Sequence, residues 1–301
     1  MTQDPEKGAS RSGVPLTLPP GRHPVWAVVR ACVVAMLWLW AAGWGRAASP
    51  SRPPTEDYGI CVGRDGQMRG VNEERAYAMH SVVKFPQALW VAECIERTGA
   101  DLGTAVLIKK KDLEPDTWSP MLELFGEDER TFTYAELLAL SLQQSDNNAC
   151  DLLFRLFGRP RRVERYIRSL GIMGIRVRKT ERQVNRRQAA GDENCCTPRA
   201  MVELLEWFYQ HRDDSEALRC VWRLMADCRT GTDRLPAAVP AGAVSVHKTG
   251  TGYRRGDVYS GLNDVGIVVL PDGQHCSVAV FVTDVGSEGR IADIARAWLD
   301  K

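Results

Sequence analysis

Strand-like sequence lies at the two ends of this chain and helix-like sequence between them, and this distribution restricts the fold more than any other feature. Residues 58–62, closed by the turn pair Asp65-Gly66, have the composition of a first strand entering a hairpin. Residues 244–248, 264–270 and 276–282 read as three more strands, the last two joined by a Pro271-Asp272-Gly273 turn. A closing helix places Ile291, Ile294, Ala295 and Trp298 at i, i+3, i+4 and i+7, the stripe of a helix laid on a sheet. In between the period is helical. Residues 81–97 carry Phe85, Leu89 and Ala92 on one face, and Thr133-Tyr134-Ala135-Glu136 is a capping box opening a Leu-rich helix. Thr197-Pro198 supplies an N-cap and a first-turn proline before Met201, Leu204, Leu205 and Phe208.

One strand at the start and three at the end can share one sheet only if the helical middle is an insertion. The expected architecture is α/β (α+β): an antiparallel sheet flanked by terminal helices, built from residues 48–79 and 229–301, with an inserted all-helical lobe at 80–228. A site between the two lobes is expected. From Thr180 to Cys196 neither period holds, and a loop that long in a compact domain is functional or disordered.

Residues 1–47 read as a signal peptide, with an apolar run at 31–45 entered through Arg30 and small residues Gly45 and Ala47 before a cleavage point after Ala47. The run is too short to span a membrane comfortably, although the long stretch before it leaves an uncleaved anchor as the alternative. Secretion to the periplasm follows from the cleaved form. Lys and Arg total 39 against 38 acidic residues, so no basic footprint exists for nucleic acid or an anionic membrane surface, and a monomer acting on a small molecule is expected. Cys32 falls in the leader and the other eight cysteines have no compact disulfide spacing. No His sits beside a Cys pair at finger-like spacing, so no metal site is expected. Cys61 and Cys276 would be neighbours if the first and last strands pair, which makes a disulfide between them a candidate.

Three short motifs carry chemistry. Ser81-Val82-Val83-Lys84 puts a hydroxyl and an amine one helical turn apart, where the amine can accept the hydroxyl's proton. Ser145-Asp146-Asn147 follows the Leu-rich helix as an abrupt polar break. Lys248-Thr249-Gly250-Thr251 ends a strand with a cation and two hydroxyls, a ledge suited to a carboxylate, with glycine allowing close backbone approach. Each alone has an ordinary structural reading.

In this order, S-x-x-K, S-D-N and K-T-G are the motif set of class A β-lactamases and penicillin-binding proteins. From about Tyr58 onward the chain resembles class A serine β-lactamases. The segments Gln144-Ser145-Asp146-Asn147-Asn148 and Asn263-Asp264-Val265-Gly266 resemble the subclass of extended-spectrum cephalosporinases. The resemblance implies a β-lactam substrate, no cofactor, and Ser81 as nucleophile, its proton passing to Lys84 or, through water, to Glu181. It implies Ser145 as proton relay to the lactam nitrogen, and Glu181, sharing its water with Asn185, as the base of deacylation. Asn147 would hold the substrate's acylamide group, and Lys248, Thr249, Gly250 and Thr251 would receive its carboxylate, with Ser81 and Thr251 N–H groups as oxyanion donors. Trp118 would wall the cleft or pack as ordinary surface. Arg182 stands where the commonest family loop has proline, which leaves Asn185 less firmly placed than Glu181. His247 is expected to be structural. A D-alanyl-D-alanine carboxypeptidase or a membrane-anchored β-lactam sensor would share the three motifs without needing Glu181.

Overall fold

The computed structural model describes residues 57–126, 128–186 and 193–299. The leader over 1–47 with its cleavage point, Cys32, and the centre of the expected loop at 187–192 lie outside the described residues. Strands β1 (Asp57–Arg64) and β2 (Gln67–Val71) form the hairpin, with Asp65 and Gly66 at φ 52° and 74°, the positive values a two-residue hairpin turn demands. The short β3 (Tyr77–Ala78) leads into a 3-10 turn, His80–Val83, and then helix α1 (Lys84–Thr98). Ser81 therefore sits on the 3-10 turn just ahead of the α-helix expected to include it.

β4 (Ala105–Lys109) and β5 (Glu129–Thr133) pair antiparallel within residues 80–228, the stretch expected to be all-helical, which is mainly but not wholly so. These strands are five residues long and mostly exposed, with only Ile108 and Phe132 buried, so they offer little apolar alternation to read. The lobe continues through α2 (Tyr134–Gln143), α3 (Asn147–Phe157) and α4 (Pro160–Ser169). The expected capping box opens α2: Glu136 N–H donates to Thr133 Oγ1 at 3.2 Å and Thr133 N–H to Glu136 Oε2 at 2.7 Å. Two donors at one helix end are satisfied reciprocally, worth about 1 kcal/mol.

After β6 (Ile175–Arg176), the region read as loop contains a short helix, α5 (Glu181–Arg186), before β7 (Cys195–Cys196). Five polar residues and one apolar residue show no helical period, and their helix is held from outside by Asp151 of α3. Next come α6 (Pro198–His211), capped by Thr197 as expected, α7 (Glu216–Ala226) and the single turn α8 (Leu235–Ala238). The end of the chain supplies β8 (Val244–Thr251), a small hairpin of β9 (Arg254–Arg255) and β10 (Val258–Tyr259), then β11 (Leu262–Val269), β12 (His275–Thr283) and α9 (Arg290–Leu299).

The principal sheet has the order β2-β1-β12-β11-β8, every pair antiparallel, so the two ends of the chain meet where β1 pairs β12. Both faces are covered. Cys61, Val246, Val265, Ile267, Ala279 and Phe281 turn toward the helical lobe and α6; Ile60, Val62, Val268, Val278, Val280 and Val282 turn toward α8 and α9. Double coverage explains why β12 is apolar almost throughout. It also overturns the Cys61–Cys276 disulfide, for both thiols are free. Cys61 lies opposite Ala279, three residues from Cys276, and an odd offset along a strand puts the two cysteines on opposite faces.

Helix α1 packs against α2, α3, α4 and α7 and buries residues all around its first two turns, including Lys84. A charged residue buried in the first turn of such a helix has to be met by acceptors from its neighbours. Gly99 ends it at φ 63°, its N–H donating to Glu96 O.

Candidate active site

The 3-10 turn carrying Ser81 is seated against β8 and β11. Asn263 of β11 donates from Nδ2 to the carbonyls of Ala78 and Met79 at 2.8 and 3.0 Å, pinning the approach to the turn. Gly250 permits the contact: a Cβ there would lie 2.5 Å from Met79 O. This glycine lets strand and turn close on each other, whereas the sequence had suggested room for a ligand. His80, directly before Ser81, has φ 47°, an uncommon value for a residue with a side chain and a sign of a backbone fixed by its surroundings.

Lys84 Nζ is the centre of the site. It donates to Ser81 Oγ at 2.8 Å, to Ser145 O at 2.9 Å and to Asn147 Oδ1 at 2.7 Å, and lies 3.4 Å from Glu181 Oε1. These four partners come from the 3-10 turn, the α2–α3 link, α3 and α5, so one fully buried ammonium ties four elements. Ser145 reaches it because its backbone is turned to φ 58°, and its hydroxyl accepts from Lys248 Nζ at 3.0 Å and, at 3.4 Å, from Lys84. The serine hydroxyl thus bridges two lysines. Burial, with the charge of Lys84 next, pushes the Lys248 amine down to about 8.

The cleft beside these groups has a volume of about 840 Å³ and is lined by Ser81, Asn147, Glu181, Asn185 and Thr251 among others. That size suits a drug-sized molecule. Glu181 and Asn185, one turn apart on α5, face it together, and Glu181 Oε1, buried beside the Lys84 ammonium, accepts no hydrogen bond among the described residues. Lys248 reaches Ser145 beneath the cleft, and Thr249 Oγ1 meets Thr230 Oγ1 at 2.6 Å. Gly252 N–H donates to Gly261 O, and ladder alternation then turns the Thr251 N–H away from β11, toward the open edge where Ser81 lies. Trp118 is 63% exposed, its indole N–H on Gln144 O, and its ring is not part of the cleft lining.

Several residues that matter to this arrangement carried no readable signal. Thr117 Oγ1 accepts from both Asn147 Nδ2 and Asn185 Nδ2, at 2.9 and 2.7 Å, and so joins two motif residues. Arg234, 3% exposed, donates to Thr251 Oγ1 at 2.9 Å and to the carbonyls of Gly250 and Asn263. Asp151 accepts the N–H groups of Glu181 and Arg182 at 2.7 and 2.9 Å. Burial raises its carboxyl to about 6, against the pull of those two N–H groups. Asp151→Ala removes the charged acceptor of both and is expected to lower stability by about 2–4 kcal/mol, read by thermal unfolding. An unchanged melting temperature would show that α5 is held by other contacts. His247 lies buried on β8 with Nδ1 2.9 Å from Asp264 Oδ1, outside the reacting cluster, as expected.

The model of the Beta-lactamase enzyme family matches residues 55–301. The extended-spectrum β-lactamase PER-1 of Pseudomonas aeruginosa is 34% identical over 221 residues, 73% of this chain and 72% of that protein. A β-lactamase of Bacteroides uniformis is 35% identical over 251 residues, 80% of this chain and 85% of that protein. Among solved structures, a β-lactamase from Chitinophaga pinensis superposes with a TM-score of 0.77 at 32% identity, covering 81% of this chain and 93% of that one. The TLA-1 extended-spectrum β-lactamase does so at 0.77 and 32%, covering 81% and 92%.

Proposed function

Because the chain belongs to the β-lactamase enzyme family, as a class A hydrolase of β-lactams, we propose that it works through Ser81 as nucleophile and Glu181 as the base of deacylation. The observation that carries this assignment is the single buried Lys84 Nζ, 2.8 Å from Ser81 Oγ and 3.4 Å from Glu181 Oε1. Ser81 Oγ attacks the lactam carbonyl while its proton passes to Lys84 in its neutral amine form, or, with Lys84 charged, through a water to Glu181. The N–H groups of Ser81 and Thr251 hold the oxyanion, each worth about 3–4 kcal/mol in such a role. As the C–N bond breaks, Ser145 gives its proton to the nitrogen and is resupplied from the lysines it bridges. Glu181, with Asn185 beside it, then takes a proton from the water that attacks the ester, and Ser81 leaves. Asn147 orients the acylamide group. Lys248, Thr249 and Thr251 receive the carboxylate, with Gly250 setting their strand against the Ser81 turn.

Lys248 serves the carboxylate only while protonated. With its amine at about 8, KM for a carboxylated β-lactam should rise about tenfold between pH 7 and pH 9, faster than kcat falls. A flat KM over that range would remove Lys248 from the substrate site.

Cephalosporins are the proposed preferred substrates, in line with the extended-spectrum relatives. The proposed mature protein is a periplasmic monomer freed of residues 1–47, without stable membrane association. The sequence supports this through the apolar run at 31–45 and the small residues Gly45 and Ala47 before the cleavage point. The lobe division at 80–228 is supported by the two places where the chain passes between sheet and helices, the turn His80–Val83 and the link after α7. Purified protein mixed with a chromogenic cephalosporin should turn over many equivalents and return to its unmodified mass. A retained acyl mass without turnover would instead identify a penicillin-binding enzyme or sensor.

A further inference from the structure

Behind the Lys248 strand lies a second set of reactive side chains that hydrolysis does not use. Cys228 follows α7, and its Sγ contacts Thr230 Oγ1 at 3.4 Å and Thr230 O at 3.7 Å. Its thiol also shares a hydrogen bond with the His247 imidazole. With Nδ1 engaged by Asp264 at 2.9 Å, the other ring nitrogen of His247 is the one left for the sulfur. Cysteine, imidazole and carboxylate thus form one cluster, in which a thiol is held as thiolate by a neighbouring cation. Asp264 is itself anchored by the Leu235 N–H at 3.0 Å.

Access singles out the same residue. Among the described cysteines, Cys61, Cys150, Cys195, Cys196, Cys220 and Cys276 are buried, leaving Cys94 and Cys228 partly exposed. Burial raises the Cys94 thiol. At Cys228 burial acts in the same direction, but the His247 hydrogen bond and charge, then the Lys248 charge, outweigh it and bring the thiol down to about 7. The charged groups facing the sulfur are His247 and Lys248 from β8, with Asp264 of β11 behind the imidazole. Burial works against protonation of His247, but Asp264 and Cys228 more than offset it and raise the imidazole to about 10.

We propose that Cys228 is a modification site for hydroperoxides, activated by His247 and Asp264, and that its oxidation to the sulfenic acid reversibly impairs the substrate-carboxylate ledge. The thiolate sulfur attacks one peroxide oxygen and an S–O bond forms as the O–O bond breaks. The departing hydroxide takes the His247 proton and leaves as water. Sulfur is oxidised, peroxide is reduced, and a neutral imidazole remains; two equivalents of a small thiol restore the cysteine, with its disulfide and water as products. The added oxygen has little room. Thr230, which touches the sulfur, is hydrogen-bonded to Thr249 at 2.6 Å, and a Cβ on the adjoining Gly231 would lie 2.6 Å from Thr249 Cγ2. Displacement therefore passes to Thr249 on the K-T-G strand.

The test exposes the full chain to hydrogen peroxide with a sulfenic-acid trap and maps the adducts by peptide mass, a readout that does not depend on β-lactam turnover. A thiol at about 7 is about half thiolate at neutral pH against about one part in a hundred at about 9, a gain of roughly 50-fold. The lower basicity of the sulfur returns about six- to tenfold of that. Cys228 should thus react about five- to tenfold faster than an unperturbed thiol, faster still than Cys94, whose thiol burial raises, and faster than Cys228 in His247→Asn. Its rate should rise with a midpoint near pH 7. Wild-type hydrolysis should fall with adduct formation and recover with a thiol, while whatever activity Cys228→Ala retains should resist peroxide. Cys94 reacting first, or a midpoint near pH 9, would overturn the proposal even if the variants failed to fold. Inactivation unaffected by Cys228→Ala would overturn its link to the ledge.

Discussion

Ser81→Ala should abolish hydrolysis of a chromogenic cephalosporin, with kcat/KM falling by at least about 10⁴-fold, and no covalent adduct should appear in the intact mass. The size of the effect follows from what remains. Lys84 keeps its bonds to Ser145 O and Asn147 Oδ1, so the site should stay assembled around a missing nucleophile, and the variant should still bind substrate. Loss of chemistry with binding retained separates a nucleophile from a residue needed for folding. Residual turnover within tenfold of wild type would place the nucleophile elsewhere and remove the basis of the proposed mechanism.

Glu181→Ala should acylate and then stall. Its Oε1 is buried 3.4 Å from Lys84 Nζ and accepts no hydrogen bond among the described residues, an arrangement that suits accepting a proton from water more than bracing the fold. Removing a positioned general base costs about 10²–10⁴-fold. Mixed with a slowly leaving cephalosporin, the variant should accumulate the acyl mass within one turnover and hold it, while wild type returns to its free mass. Rapid return of the variant to free mass would assign deacylation to another base. Failure to acylate would make Glu181 part of the first half of the reaction, which is the other route by which the Ser81 proton leaves.

The parts of the site legible in the sequence were those where local spacing already implies geometry. Ser81 and Lys84 are three residues apart on a turn, and the 2.8 Å contact between them is a local consequence. Glu181 and Asn185 share a face of α5 for the same reason, although six residues with a single apolar member gave no sign that they would be helical. Thr117, Asp151 and Arg234 were illegible because each acts on a partner distant in the chain: 30 residues separate Asp151 from Glu181 and 17 separate Arg234 from Thr251. Trp118 could be read from the sequence either as a cleft wall or as ordinary surface packing, because an aromatic near the motifs does not reveal that its indole N–H is held by Gln144 O with the residue 63% exposed.

The order of strands and helices, the caps at Thr133 and Thr197, the hairpin at Asp65-Gly66 and the three motif sets follow from periods of two and 3.6 and from turn chemistry, all short-range properties. They suffice to say that the two ends of the chain share a sheet and that a serine, two lysines and a glutamate are available for acyl transfer. Only the tertiary structure decided what those groups face. The β1–β12 register put Cys61 and Cys276 on opposite sides of the sheet. The packing of β8 against the Ser81 turn gave Gly250 its purpose, and the burial of Lys84 drew four separate elements onto one ammonium. A buried charge must find its acceptors wherever the fold brings them, and sequence spacing carries no information about that.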